Sequence, residues 1–212
     1  KKLFIKLSKI LGYEIIDQSD FSSPTLQKKL NQDLSIVNKK SIVLPLGEVK
    51  ITKKISSVLT IFRTNTNVEI WDQNKKRLFE QPKIEYSLRA LNSLIKSVNF
   101  SKTKYPDIKF KTIIVDDKSK QKNLNKIKKL IDGSDLDITV TSLNHDKYKN
   151  TIKQQKSDQT FSNLASLLQS FELGKEHGED LIFFVEDDYL HFEPMMEEMI
   201  ASYERIASQI NK

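Results

Sequence analysis

The stretch LIFFVEDD, Leu181–Asp188, runs five bulky apolar residues directly into three consecutive carboxylates. An apolar run of this length and composition is typical of a strand that is buried on both faces, as in a parallel sheet. Three adjacent anions repel one another and lose hydration when they are covered, so a cation or hydrogen-bond donors must meet them. The stretch therefore predicts a buried strand that ends either in a solvated acidic turn or at a site for a cation.

Similar apolar segments alternate with helical patterns along most of the chain. The four predicted strands are Ser57–Phe62, Lys111–Val115, Asp137–Ser142 and Leu181–Val185. Amphipathic helices are predicted between them and after the last, at residues 82–98, 122–131, 161–178 and 194–210. Strands that alternate with helices in this way favour right-handed crossovers. The predicted fold class is therefore α/β, with a mostly parallel sheet and helices on both faces.

The bulk composition bounds the class of protein. The chain has 212 residues, of which 38% are hydrophobic and 30% charged, as in a soluble domain with its own core. Cysteine is absent, which excludes disulfides and thiolate metal sites. No apolar run reaches the ~18 residues of a transmembrane helix. We expect a cytoplasmic protein, with the inner face of the membrane as the alternative location.

The net charge of +7 conceals two parts of opposite sign. Residues 1–156 carry 32 basic and 16 acidic side chains, whereas residues 157–212 carry three basic and twelve acidic ones. A basic body suits anionic partners such as nucleotide phosphates, nucleic acid or an anionic membrane, and an acidic segment suits a cation. A nucleotide–metal complex would engage both parts, so the expected partner is a nucleotide and not nucleic acid.

The N-terminal quarter has a different pattern. Residues 1–55 are predicted to form a basic amphipathic helix, a polar arm and short extended pieces, and residues 56–212 the main domain. We expect Leu3, Leu7 and Leu11 of the helix to be at least partly buried against the domain. Contact of residues 1–16 with an anionic membrane surface is the lesser alternative.

Charged residues follow three of the predicted strands. In an open parallel sheet, ligands bind outside the carboxyl ends of the strands, near the point where the strand order reverses. Arg63 ends the first strand, Asp116 and Asp117 end the second, and Glu186–Asp188 end the fourth. Helix capping explains either acidic cluster alone, but two clusters at equivalent strand ends predict a shared ligand site.

The sequence motifs of several other kinds of binding or catalytic site are absent. The five glycines form neither GxGxxG nor GxxxxGK[ST], which argues against dinucleotide and P-loop cradles. There is no GxSxG nucleophile elbow, and the three histidines do not have a zinc-ligand spacing. Carboxylates without thiolates favour Mg²⁺ or Mn²⁺, which proteins hold with one or two carboxylates plus substrate phosphates.

Three segments together resemble the motifs of a known family. SSVLTIFRTN (56–65), IIVDDKS (113–119) and NLASLLQSFELGKEHGEDLIFFVEDDY (163–189), with the proline that follows, are similar to a family 2 glycosyltransferase of the GT-A fold. That family has a nucleotide-contacting segment after the first strand, a VVDDGS turn, a helix–strand unit ending in several aspartates, and a proline-started helix. The resemblance covers roughly residues 56–210.

The resemblance implies an activity and a set of site residues. The activity would be metal-dependent, inverting transfer of a sugar from a nucleotide-diphosphate sugar, with a UDP-sugar favoured, to an unknown glycan, lipid or protein acceptor. Mn²⁺ or Mg²⁺ would be held by Asp188 and Glu186, and Asp117 would accept hydrogen bonds from the base or ribose. The residues implied to bind the nucleotide-sugar are Arg63, Thr64, Asp116, Asp117 and Asp187.

The chain also departs from the family pattern. Residues 63–81 are longer than the usual short turn, and they predict either a hairpin over the site, with Trp71 facing the donor, or a hairpin packed on the rim. The family supplies its catalytic base well after the metal motif, so the base and the acceptor half are expected beyond Lys212.

Three other functions remain as alternatives at this point. A non-catalytic nucleotide-sugar-binding protein would keep the fold without turnover. A nucleotidyltransferase uses a similar sheet and metal, but its Gly-rich phosphate loop is missing. A receiver-like signalling domain would need a lone aspartate after its third strand and a lysine after a fifth, and neither is visible.

Overall fold

The computed structural model describes residues 7, 10, 11, 50–67, 81–153 and 157–210. Its elements in chain order are β1 (Ser57–Thr64), α1 (Lys83–Lys104), β2 (Lys109–Asp116), α2 (Gln121–Asp132), β3 (Asp137–Ser142), α3 (His145–Tyr148), α4 (Asp158–His177), β4 (Leu181–Glu186) and α5 (Met195–Ile210). The chain divides into two compact units, Ile55–Glu197 and a second one made of Lys1–Lys54 with Glu198–Lys212. The sheet and helices α1 to α4 all belong to the first unit.

The four predicted strands are confirmed. The expectation that Leu181–Val185 is buried on both faces is wrong, because β4 lies at an edge of the described sheet and Ile182 and Phe184 are 39% and 41% exposed. β1 continues two residues beyond its predicted end, to Thr64, and β4 continues by one, to Glu186. Helix α4 begins at Asp158, three residues before its predicted start, because the Ser157 side chain accepts a hydrogen bond from Thr160 N and caps it. The short helix α3 was not predicted.

The sheet is parallel throughout, in the order β3-β2-β1-β4. The chain moves outward from β1 to β2 and β3, and then returns to place β4 on the other side of β1. The strand order therefore reverses between β1 and β4, where open α/β sheets bind ligands. The predicted strands of IIVDD and FFVEDD lie in one sheet and run parallel, with β1 between them.

One face of the sheet is covered by α4. Leu59 and Ile61 of β1 form a buried cluster with Ile113 and Val115 of β2. The residues of α4 packed on or within this cluster are Phe161, Leu164, Ala165, Leu168 and Leu173. Burial of this apolar surface contributes roughly 25 cal/mol per Å² and fixes α4 beside the carboxyl ends of β1 and β2.

The opposite face is covered by α1, which contacts α2. Side chains alternate along a strand, so Val58 and Phe62 of β1 point away from α4. Both are buried, as are Leu91, Leu94 and Val98 of α1. The α/β class with helices on both faces is thus confirmed.

The start of β4 is attached to the start of β1 by one carboxylate. Asp180 Oδ2 accepts hydrogen bonds from Ser56 N at 2.6 Å, Ser56 Oγ at 2.7 Å and Ser57 N at 3.1 Å. The hydrogen bonds from Ser56 hold the pKa of Asp180 below its usual value. This attachment helps to fix the register of β4 against β1.

In the second unit, Thr52 N and Lys53 N donate hydrogen bonds to Ser208 Oγ at 2.9 and 3.0 Å. Leu7 and Leu11 are 56% and 66% exposed, so the burial expected of them is wrong, and Leu3 lies outside the described residues. No described helix is long and apolar enough to cross a membrane. The cytoplasmic location stays a prediction.

Candidate functional site

A cleft of about 720 Å³ opens at the carboxyl ends of β1, β2 and β4, where the strand order reverses. Six of the seven residues predicted for the site line it: Arg63, Thr64, Asp117, Glu186, Asp187 and Asp188. Asp116 is buried beside them at the end of β2. The predicted hairpin with Trp71 lies outside the described residues.

The strand geometry of β4 separates its three carboxylates. Glu186 has the same parity along the chain as Ile182 and Phe184, whose side chains lie against Gly174 of α4. Asp187 points to the other face of the sheet, where α1 lies. Consecutive residues at a strand end therefore do not converge on one point, and each carboxylate meets different partners.

Asp187 is almost completely buried and fully engaged by protein donors. Its Oδ1 accepts from Lys83 Nζ at 2.6 Å, and its Oδ2 accepts from Ser87 Oγ at 2.6 Å and Thr64 Oγ1 at 2.7 Å. Only 7% of the residue is exposed. Asp187 thus joins β4 to β1 and to the first turn of α1, although it was predicted to bind nucleotide-sugar.

Glu186 forms an ion pair with Arg63 across the β1–β4 pair. The Nη1 of Arg63 also donates to Asn163 Oδ1 on α4, at 3.2 Å. Arg63 therefore lies between the carboxylate at the end of β4 and the first two turns of α4. Its position in the cleft agrees with the sequence prediction, whereas its contact with Asn163 was not predicted.

Asp117, at the end of β2, is buried and held on both oxygens. Asn65 Nδ2 donates to its Oδ2 at 2.9 Å, and His145 Nε2 lies 2.6 Å from its Oδ1. The His145 ring stacks on Phe161 of α4 with centroids 5.9 Å apart. The carboxylate is therefore oriented before any ligand arrives, and it keeps lone pairs that can accept from a ligand.

Asp116 differs from its neighbour because one of its oxygens lacks a partner. Ser119 N donates to Oδ2 at 3.1 Å, but among the described residues Oδ1 is buried without a hydrogen bond. Burial raises the pKa of the Asp116 carboxyl above its usual value, against the lowering effect of the Ser119 hydrogen bonds. Asp116 does not line the cleft, so its predicted contact with a nucleotide remains a prediction.

Lys118 has a backbone conformation that lysine rarely adopts. Its φ is 56°, in the left-handed region, and among the described residues it is the one non-glycine residue with positive φ. Asn67 Nδ2 donates a hydrogen bond to the carbonyl oxygen of Lys118. Lys118 lines the cleft. The left-handed region is the one that glycine adopts most readily, so the IIVDDKS turn has a cation at a position that suits glycine.

The two residues predicted to hold a metal ion, Asp188 and Glu186, differ in their contacts. Within the described ranges, no group of three or more acidic or imidazole side chains is placed to hold an ion. Asp188 is exposed, lines the cleft and has no partner among the described residues, which fits a metal ligand. Glu186 can act as a metal ligand only if its ion pair with Arg63 is replaced by a bond to the metal ion. One or two carboxylates are enough for Mg²⁺ or Mn²⁺ when substrate phosphates supply the other oxygens.

Sequence reasoning missed His145, Asn65 and Lys83. The rule that searches strand ends would have found His145, which lies three residues after β3. Asn65 directly follows β1 and could have been included by the same rule. Lys83 gave no such signal, because it belongs to the first turn of a helix and reaches the site only through the packing of α1 on the sheet.

No family model matches the sequence, and no curated protein matches it. Among solved structures, the chain is similar to S. aureus TarS 1–349, with a TM-score of 0.39 and 19% sequence identity. The likeness covers 68% of this chain and 31% of that one, so the chain spans less than a third of the length of this neighbour. A likeness at this level says nothing about what the chain binds.

Proposed function

We propose that this chain binds a nucleotide-diphosphate sugar in the cleft and belongs to a glycosyltransferase that passes the sugar to an acceptor. The observation that carries the proposal is the convergence of Arg63, Asp117 and Asp188, from the ends of three parallel strands, on one cleft at the reversal of strand order. The IIVDDKS and VEDD motifs that resemble family 2 glycosyltransferases supply two of these strand ends. A UDP-sugar is the proposed donor, and the acceptor is a glycan, lipid or protein.

The strand order disfavours the receiver-like alternative. Receiver domains have the order 2-1-3-4-5, with the first and third strands as neighbours. Here β1 is flanked by β2 and β4, and the acidic residues follow those two strands. A phosphoacceptor arrangement after the third strand does not arise in this order, so nucleotide binding explains the site better.

The charge of the cleft favours a ligand that brings a divalent cation. Among the lining residues described, three are cationic (Arg63, Lys83, Lys118), and five are carboxylates (Asp117, Asp158, Glu186, Asp187, Asp188). A diphosphate alone would add negative charge to a lining that already has an excess of two. Mn²⁺ or Mg²⁺ held by Asp188, with Glu186 as second ligand, would offset both. When bound, such an ion stabilises the charge that develops on a leaving nucleoside diphosphate.

Asp117 is the proposed anchor for the nucleoside. It is a fixed, buried acceptor, and a base or ribose offers N–H or O–H donors to such a group. A hydrogen bond to a charged acceptor contributes roughly 1.5–3 kcal/mol, more than most neutral contacts. Asn65 and His145 support this role by holding the carboxylate in place.

Replacing Asp188 by asparagine should reduce the part of UDP affinity that depends on Mn²⁺ by at least about tenfold, equivalent to 1.4 kcal/mol. The reason is that the metal loses one ligand charge, so the affinity measured without metal should not change. Isothermal titration of UDP and UDP-glucose, with and without Mn²⁺, measures the metal-dependent and the metal-independent affinity.

Asp107→Asn is the matched control, since Asp107 is exposed just before β2, at the opposite end of the sheet. It should leave both affinities unchanged. Absence of UDP binding at millimolar concentration would contradict the proposed function. Binding without transfer or hydrolysis of any UDP-sugar would instead select the non-catalytic alternative.

Lys118 should show opposite effects on stability and on binding. Left-handed φ costs a non-glycine residue roughly 1–2 kcal/mol, so Lys118→Gly should keep or slightly raise the free energy of unfolding. The same change removes a cation from the cleft and should weaken UDP binding several-fold. Chemical denaturation and titration measure the two quantities.

Lys118→Ala separates the backbone effect from the charge effect. Alanine keeps the strained conformation, so this variant should lose affinity as glycine does but show no gain in stability. Lys118→Arg should bind UDP nearly as well as the unaltered chain. If all three variants bind UDP as tightly as the unaltered chain does, Lys118 has no role in phosphate binding.

A further inference from the structure

The first half of α4 lines the cleft with four uncharged polar side chains and with one carboxylate, Asp158. Gln159, Ser162, Asn163 and Ser166, here called the α4 polar stripe, all line it. Their spacing of three, four and seven residues from Gln159 places them on one side of the helix. The opposite side of the same helix carries Phe161, Leu164 and Leu168, which pack against the buried cluster formed by β1, β2 and the segment after β3. Packing of that apolar side therefore orients the stripe.

The stripe differs from an ordinary solvated helix face. Farther along α4, the exposed positions include Glu172, Lys175 and Glu176, charged residues typical of a surface helix. Within the stripe there is no charge. Of the α4 residues that line the cleft, the four in the stripe are neutral, and Asp158 at the start of the helix is charged.

Three members of the stripe have side chains without hydrogen-bond partners among the described residues: Gln159, Ser162 and Ser166. Ser166 is 8% exposed and lines the cleft, so its hydroxyl can pair with a ligand there. Asn163 is different, because its Oδ1 accepts from Arg63 Nη1 at 3.2 Å. Its Nδ2 is then left to donate into the cleft.

Away from α4, most of the residues that line the cleft are charged, and Arg63 connects them to the stripe. Arg63 pairs with Glu186 on the charged side and with Asn163 on the stripe. A nucleotide-sugar has the same division, with a charged diphosphate joined to a neutral polyol. The charged side suits the diphosphate, and the stripe suits the sugar.

We propose that the α4 polar stripe binds the sugar of the donor and determines which sugar is accepted. This inference rests on the proposed function. Amide and hydroxyl side chains both donate and accept, as sugar hydroxyls do, so each sugar hydroxyl can be paired without desolvating a charge. A site built to hydrogen-bond a substrate hydroxyl discriminates strongly against an analogue that lacks or misplaces it.

The test compares UDP with UDP-glucose, UDP-galactose and UDP-N-acetylglucosamine by isothermal titration in Mn²⁺. Ser166→Ala and Gln159→Ala should each leave UDP affinity within twofold. Each should weaken the best-bound UDP-sugar at least fivefold or change the order of preference among the three. Lys175→Ala, on the same helix beyond the stripe, is the matched control and should change nothing.

Equal changes for UDP and for the UDP-sugars, or no change for either, would overturn the role of the stripe. Unaltered protein that binds every UDP-sugar no better than UDP would also overturn it. Failure of unaltered protein to bind UDP at all would instead overturn the proposed function. Thermal unfolding of both variants should match the unaltered chain, because neither substitution removes a described side-chain hydrogen bond.

Discussion

Replacing Asp187 by alanine should lower the free energy of unfolding by about 3 kcal/mol. Removal of one partner of a buried ion pair typically costs about 3–5 kcal/mol, because the other charge is left without compensation. The Lys83 side chain keeps 17% of its exposure and can turn toward water, which favours the lower end of that range. Thr64 also loses its acceptor, and Ser87 keeps only the Lys83 carbonyl oxygen at 3.3 Å. Urea denaturation followed by circular dichroism measures the loss.

A second pair of variants tests the cause. Asp187→Asn leaves an acceptor for Thr64 and Ser87 but leaves the Lys83 charge unpaired. Adding Lys83→Met removes that charge, so the double variant should be more stable than Asp187→Asn alone. Additive losses for Lys83→Met and Asp187→Asn would show that the pair is not coupled. Asp188→Asn, with an exposed carboxylate, is the control and should change stability by no more than about 0.5 kcal/mol.

Replacing Asp117 by alanine should weaken UDP binding by roughly tenfold to a hundredfold, both with and without Mn²⁺. The expected range follows from a charged hydrogen bond of about 1.5–3 kcal/mol between the carboxylate and the nucleoside. Independence from metal distinguishes this residue from Asp188. Titration of UDP in Mn²⁺ and in EDTA gives the comparison, and an affinity unchanged in both would contradict the assignment of Asp117 as nucleoside anchor.

His145 provides the control for positioning. His145→Gln places an amide where Nε2 can still donate to Asp117, so UDP affinity should stay within about threefold, or less than 1 kcal/mol. His145→Phe keeps a ring against Phe161 but removes the donor, and it should weaken UDP binding toward the level of Asp117→Ala. Equal affinities for the two variants would mean that His145 serves packing alone.

The fold was predictable because β1 and β2 contain buried apolar runs and because helical patterns alternate with all four strands. Ile61, Ile114 and Val115 are essentially inaccessible to solvent, so hydrophobicity alone decides the state of those segments. The candidate site was predictable in place, because parallel strands bring their carboxyl ends to one edge. That rule predicts one shared site for Arg63, Asp117 and Asp188, and all three line the cleft.

The partners of these residues were harder to predict because they come from distant elements. The engagement of Asp187 by Lys83 depends on how α1 packs on the sheet, 104 residues earlier in the chain. The left-handed turn at Lys118 breaks a residue preference, and local propensity cannot reveal it. Asp187 was predicted to bind the nucleotide-sugar, yet alternation along β4 turns it away from Glu186 and toward Lys83 and Ser87 of α1.

The attachment of β4 to β1 at both ends has a consequence for how this protein can change over evolution. Asp180 holds the start of β4 and Asp187 its end, so the number of residues between them is fixed by the length of β1. Many side chains inside β4 can be exchanged for others of similar size. Inserting or deleting a single residue would reverse the directions of every later side chain and turn Asp187 out of its buried pocket. We therefore expect homologues of this protein to differ in the residues of β4 while its length stays constant.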